Sequence, residues 1–405
     1  MNSARLSEEA RNTSEAQGAT AAPLRHLVPE LRLFHGADSL SALQGELARL
    51  GSTRAVIVCG ASLARDGAAM ALLHEALGKR GAGVLPCVRA HSPLDAVEAA
   101  AADLQALGAD AVVAVGGGSA VVTARGASIL LAEQADARQL CTQRGADGVL
   151  RSPRLLAPKL PQLVVPTTPT TATLKAGSAL LDPTDGSRLA LFDPKTRAKA
   201  VFVHPALLQT PPRSLVVSAT LNTLAMALEG LMSLRGDPFS DALLVHATRL
   251  IVQHLPGAEA PAGREALMFA SLLCGHGTDY TGAGIAIPLG HAISARFHVD
   301  NGLANAIVLP HVVRFNARHA VAGLEQLAVA FGRTERGVAA ADAVVHGMAQ
   351  LLAQLGSPNR LRDIGVTRDS LPALAAVSTD DWFVRDNPRP VRDAADLLGV
   401  LESAW

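Results

Sequence analysis

The chain has 405 residues, 49% of them hydrophobic and only 3% aromatic, so its core is built from Ala, Val and Leu, and it is long enough for two domains. Its formal net charge is +0 and no basic stripe carries interleaved aromatics, which argues against nucleic acid as a partner. Cys59, Cys87, Cys141 and Cys274 lack C-x-x-C spacing and read as reduced thiols; no apolar run reaches a membrane span and no signal-peptide core opens the chain. The expectation is a soluble, cytoplasmic protein that engages no membrane.

In chain order, residues 1–24, rich in Ser, Glu, Asn and Ala without an apolar period, read as a mobile tail. Leu31 to Phe34 reads as a short strand, Ser39 to Leu50 as a helix, Arg54 to Cys59 as an apolar strand, and Ala64 to Arg80 as a helix. Gly83 to Val88 is a strand, Pro93 to Leu107 a helix, Ala111 to Val115 a strand, and Gln162 to Val165 another. Strands alternating with helices of this length imply a parallel sheet covered on both faces. The stretch Asp182 to Lys199, with PTDGSR and DPKT turn signals, reads as a hairpin or excursion. Helical periods dominate afterwards, including Ala219 to Leu234, Asp241 to Leu255, Arg264 to Cys274 and Ala304 to Phe315. The predicted organisation is therefore a tail (1–24), an α/β domain (25–205) and a helical domain (206–405).

The Ala111 to Val115 strand runs straight into Gly116-Gly117-Gly118-Ser119 and an alanine-rich helix. Such a junction gathers free backbone N–H groups and a helix dipole's positive end, a site for a phosphate or pyrophosphate. Ligands on parallel sheets sit beyond the strands' carboxyl ends, so the residues after each strand share one crevice: Ser62, His91, the glycine triplet, and Pro166-Thr167-Thr168. Thr167, Thr168, Thr170, Thr171 and Thr173 offer hydroxyls to a ribose or phosphate. No acidic residue follows the Arg54 to Cys59 strand to grip a ribose 2′-OH, so the choice between NAD(H) and NADP(H) stays open.

Five separated motifs, VGGGS at 115–119, VPTT at 165–168, NTLAMALEG at 222–230, GLANAIVLPHVVRFN at 302–316 and NPRPV at 387–391, resemble in order and spacing the iron-containing (group III) alcohol dehydrogenase family. AHSP at 90–93, ALEGL at 227–231 and Asn222 resemble its maleylacetate reductase branch. The resemblance implies a dehydroquinate synthase-like, iron alcohol dehydrogenase fold: an N-terminal parallel-sheet dinucleotide-binding domain, then an all-α domain, with NAD(H) or NADP(H) as cofactor. It also implies oxidoreductase activity in aromatic compound catabolism, a small-molecule carboxylate substrate and a homodimer.

The sequence departs from that family where metal-using members place one Asp and three His. The matching positions are Asn222, Met226, Ile287 and Asn301, which supply two amides, a thioether and a hydrocarbon. No metal is expected. Without a Lewis acid the alkoxide formed by hydride transfer needs a proton or strong donors. The resemblance assigns His291 to the cleft as proton donor or substrate anchor, and Asn222 and Asn301 are the candidate amide donors. His298, Arg296, Tyr280 and Lys175 are candidates to hold a carboxylate, while His311 reads as structural. After PTT the family often carries GTGSE; here Thr170 and Ala172 replace its glycines and add bulk. Two functions follow: a metal-independent NAD(P)H-dependent reductase of an unsaturated or oxo acid, or a redox-neutral enzyme (hydrolase, hydratase or isomerase) or ligand-binding protein on the same fold.

Overall fold

The computed structural model describes residues 26–405, so the tail expected over 1–24 lies outside the described residues. A six-stranded parallel sheet organises the first half. Its strands are β1 (Leu33–His35), β2 (Ala55–Gly60), β3 (Gly81–Val88), β4 (Ala111–Gly116), β5 (Gln162–Pro166) and, after a two-stranded antiparallel hairpin of β6 (Gly177–Leu181) and β7 (Arg188–Phe192), β8 (Ala198–Val203). Their spatial order is β1-β8-β5-β4-β2-β3. The segment 182–199 thus holds the turn and second strand of a hairpin whose first strand precedes it, and ends where β8 rejoins the sheet.

Both faces of the sheet are covered. Along β2, Val56 and Val58 join one apolar cluster while Ala55, Ile57 and Cys59 join the other, and all five are fully buried. A period of two with apolar residues on both sides is what a parallel sheet under two helical layers requires. Each buried Val or Ile contributes about 1.5–3 kcal/mol. The layers are α1 (Leu43–Arg49), α2 (Gly67–Leu77), α3 (Leu94–Ala106) and α4 (Gly118–Glu133). The expected helix from 64 to 80 divides because Asp66 caps a new one, accepting from the N–H groups of Ala68 and Ala69 at 3.1 Å each.

Beyond β8 the chain is helical: α5 (Arg213–Met232), α6 (Pro238–His254), α7 (Pro261–Thr281), α8 (Ala286–Phe297), α9 (Asn301–Asn316), α10 (Val321–Ala330), α11 (Ala339–Leu355), α12 (Leu371–Ser378) and α13 (Ala394–Ala404). They surround one apolar core. By length and composition α5 could cross a membrane, yet 78% of its apolar window is buried, as befits the central helix of this core. Helix α7 runs past Gly275 and Gly277, where the sequence pattern stops. A Cβ at Gly275 would stand 2.8 Å from the backbone oxygen of Thr171, and one at Gly277 2.8 Å from Leu244. Those glycines permit close packing rather than ending the helix.

Candidate functional site

A cleft of about 740 Å³ lies between the carboxyl ends of the sheet strands and the N-terminal ends of α5 and α9. From the sheet side it receives Ser62, His91, the Gly116 to Ser119 turn and the loop from Thr167 to Ala172. From the helical side come Asn222, His291 and Asn301. Ser62, His91, Gly116 to Ser119, Thr167, Thr168, Thr170 and Thr171 therefore open on one space with the three residues expected to act on substrate, whereas Thr173 is fully buried outside it.

The glycine turn is shaped by its neighbours. Gly116 has φ +144°, which disfavours any side chain. A Cβ at Gly117 would stand 2.4 Å from Thr168 Oγ1, and one at Gly118 3.0 Å from Thr170 Oγ1. Helix α4 starts at Gly118 without a side-chain cap, and among the described residues the N–H groups of Gly118 and Ser119 have no protein partner. Two free donors at the positive end of a 16-residue helix fit a pyrophosphate.

The same helix holds the threonine loop. Arg125, fully buried, donates to the carbonyls of Ala172 at 2.9 Å and Gly177 at 2.5 Å. Thr170, in place of the expected glycine, lies in extended backbone (φ −140°, ψ 132°) and caps the following turn by accepting from Ala172 N–H at 3.3 Å. The replacement is therefore unstrained, and its bulk faces Gly118.

On the opposite wall three helices converge. Asn222 and Met226 share a face of α5, Ile287 and His291 a face of α8, and Asn301 and Asn305 a face of α9. Asn305, fully buried, donates its Nδ2 to Asn222 Oδ1 at 2.8 Å. The Asn222 oxygen is spent on that bond, which turns its amide N–H toward the cleft. Met226 and Ile287 are buried, 5% and 2% exposed. An engaged amide oxygen, a thioether, an alkyl chain and a second amide do not fit a hard divalent cation, and among the described residues no three His, Cys, Asp or Glu side chains cluster as a metal set.

One helical turn beyond Met226, Glu229 accepts the N–H of Ala286 at 2.6 Å with Oε1 and anchors the start of α8. Burial pushes this carboxyl up to about 7, against the lowering effect of the Ala286, Gly284 and Ile287 N–H groups. His291 is held neutral: burial, then the charges of Arg188 and His91, depress its pKa well below the ordinary value, and its Nδ1 has no partner. Burial, then Arg188, lowers His91 as well. His91 and Ser92 adopt φ of 62° and 49°, two consecutive left-handed residues that turn the chain sharply after β3.

The four residues expected to hold a carboxylate are not brought together. Lys175 lies behind the loop beside Cys274, Asp279 and Arg197, because the chain from Thr171 folds back against α7. Tyr280 packs at 4.9 Å on His26, with Arg235 over its ring. Arg296 is exposed near Asp369. His298 is the exposed left-handed cap of α8, its charge felt at His91. Four charged residues that the sequence reading did not single out do line the cleft: Asp66, Asp300, Arg188 and Arg89, the last of them paired with Asp95. Asp66 corrects the reading that no acid follows β2, although one of its oxygens is spent capping α2. No local period marks Arg188, which follows an Asp-Gly turn in the hairpin.

Comparison with known proteins matches residues 29–205 to the model described as iron-containing alcohol dehydrogenase, and residues 216–405 to the model for the C-terminal part of the Fe-containing alcohol dehydrogenase family. The chain is 28% identical over 386 residues to the lactaldehyde reductase of Escherichia coli (strain K12), covering 92% of this chain and 97% of that protein. It is 27% identical over 379 residues to the maleylacetate reductase of Burkholderia cepacia, covering 92% and 95%. Identity alone does not separate these two. The crystal structure of 1,3-propanediol oxidoreductase superposes with a TM-score of 0.86 at 24% identity, covering 95% of this chain and 100% of that one, and so shares the fold.

Proposed function

Because the chain belongs to the iron-containing alcohol dehydrogenase family along both of its halves, we propose that it is a nicotinamide-dependent reductase that works without a metal ion, on a small unsaturated or oxo carboxylic acid, as its maleylacetate reductase relatives' names suggest. The single observation that carries this reading is the cleft itself, where the uncapped start of α4 and the side chains of Asn222, His291 and Asn301 face one another. NADH or NADPH would supply the hydride, held by Gly117, Gly118 and Ser119 at its pyrophosphate and by Thr167, Thr168 and Thr171 nearby.

What the chain supplies is hydrogen-bond donors. Asn222, oriented by Asn305, presents an N–H where negative charge develops on the substrate oxygen, and Asn301 lies across from it. His291 is neutral in the resting site, so it serves as an N–H hydrogen-bond donor to the oxygen on which negative charge develops and keeps its own proton. The proton that neutralises the product anion comes from water at the open side of the cleft.

A second reading, a redox-neutral enzyme on a similar acid, is favoured by one observation: Thr170 Oγ1 stands against Gly118, narrowing the cradle. Titration with NADH and NADPH, followed by fluorescence and melting temperature, separates the two. Saturable binding of either cofactor supports the reductase, and no response at millimolar concentration replaces it with the redox-neutral reading.

A further inference from the structure

We propose that Arg188 is the carboxylate anchor of the cleft, the side chain that selects an acid over a neutral aldehyde or ketone. This rests on the reductase reading for where the substrate lies, not for the anion site itself. Arg188 closes the β6–β7 hairpin opposite Leu181. Leu181 N–H donates to the Ser92 carbonyl at 3.2 Å, and Pro93 bridges to Leu181, so the hairpin mouth is pinned to the strained turn that carries His91. The guanidinium is thereby fixed on the cleft wall, close enough for its charge to act on both His91 and His291.

The two fully or nearly buried arginines spend their terminal nitrogens on backbone carbonyls, although Arg125 Nε is left without a partner. Arg125 donates to two backbone carbonyls, and Arg264 to those of Ala258, Leu208 and Pro211. Among the described residues Arg188 has no hydrogen-bonding or ionic partner. Asp381 is the acid whose field reaches it, yet the two form no ion pair. A half-buried guanidinium on a cleft wall, with no counter-charge spent on it, stays open to an anionic ligand. The planar fork of arginine matches a carboxylate through two parallel hydrogen bonds, and the neighbouring imidazoles, both kept neutral, add donors rather than competing charge. Among the predicted anchors none offers this combination of cleft position and unspent charge.

The test uses maleate, a stable dicarboxylate, as probe on the full chain, with NADH titrated in parallel against wild type, Arg188→Gln and Arg188→Lys. Maleate is expected to bind wild type, to weaken on the order of 10- to 100-fold in Arg188→Gln, and to weaken less in Arg188→Lys, while the NADH Kd stays within about twofold. The proposal is overturned if wild type binds no maleate, if Arg188→Gln binds it as well as wild type does, or if NADH affinity falls in step with maleate, which would give the guanidinium to the cofactor. Arg188-dependent maleate binding without any NADH binding would retain the anchor and defeat the reductase reading.

Discussion

Asn305 Nδ2 donates to Asn222 Oδ1 at 2.8 Å, and that bond, as the amides are assigned, decides which end of Asn222 faces the cleft. Asn305 is itself clamped, since a Cβ at Gly290 would stand 1.7 Å from its Oδ1. The orientation of the proposed substrate donor is therefore set by a fully buried residue one layer behind it. Asn222→Asp replaces the N–H with a second acceptor. The expected result is a loss of about 100-fold in kcat for reduction, the usual cost of removing one oxyanion donor, with NADH affinity retained. A variant as fast as wild type would remove Asn222 from the chemistry.

Dialysis against EDTA is expected to leave the reductase rate of purified protein unchanged, because the donor set at Asn222, Met226, Ile287 and Asn301 suits no divalent cation. Elemental analysis alongside the rate provides the check. Activity that disappears on chelation and returns with iron or zinc would end the metal-independent reading.

Gly117→Ala drives a methyl group into Thr168 Oγ1, 2.4 Å from where its Cβ must sit. Repacking that contact should cost about 1–3 kcal/mol of stability and reposition the free N–H groups of the turn. NADH binding about tenfold weaker, the value of roughly one hydrogen bond, is the expected readout in a fluorescence titration. An unchanged Kd would place the cofactor elsewhere.

Acid should destabilise the protein through its histidines. His91, His276, His291 and His311 all have folded pKa values below the ordinary one; for His311, burial and then Arg314 push it down to about 4. An unfolded chain takes up these protons near about pH 6.5, so between that pH and the folded values the unfolded state binds more protons. Stability then falls as pH drops from about 7 toward 4, by up to about 1.4 kcal/mol per pH unit for each such group. Urea unfolding at pH 7, 6 and 5 should show a shallower decline for His311→Gln than for wild type. Parallel declines would contradict the assignment.

Glu229 acts with the opposite sign. Its folded pKa is raised to about 7, so the folded state holds the proton longer than the unfolded one, and the benefit present below about pH 4.5 is lost as pH rises through 7. Glu229→Gln keeps an acceptor for Ala286 N–H and removes the buried charge. Its melting temperature relative to wild type should rise between pH 5 and pH 8. A difference that does not change with pH would mean that Glu229 stays ionised or exposed.

Much of the sheet was legible because its strands are short apolar runs ended by glycine or proline: the reading of 54–59, 111–115 and 162–165 differs from the structure by at most one residue at each end. The end of α7 was not, because Gly275 and Gly277 carry the same local signal whether they stop a helix or let it approach a neighbour. The sheet side of the cleft was legible through the rule that residues at strand ends gather in one crevice. Arg188 was not, because its position depends on a hairpin folding back onto the turn at His91, a tertiary contact with no periodic signature. Lys175 and Tyr280 were misplaced for the converse reason: nearness in sequence to a site says little about which side of a loop or helix a residue occupies.

The backbone oxygen of Thr171 rests directly on α7 at Gly275, where no side chain separates sheet-side loop from helical domain. Two halves touching main chain to main chain cannot slide there without breaking the contact. An alanine at 275 would act as a wedge against Thr171, displacing the loop that lines the crevice from a position behind its wall.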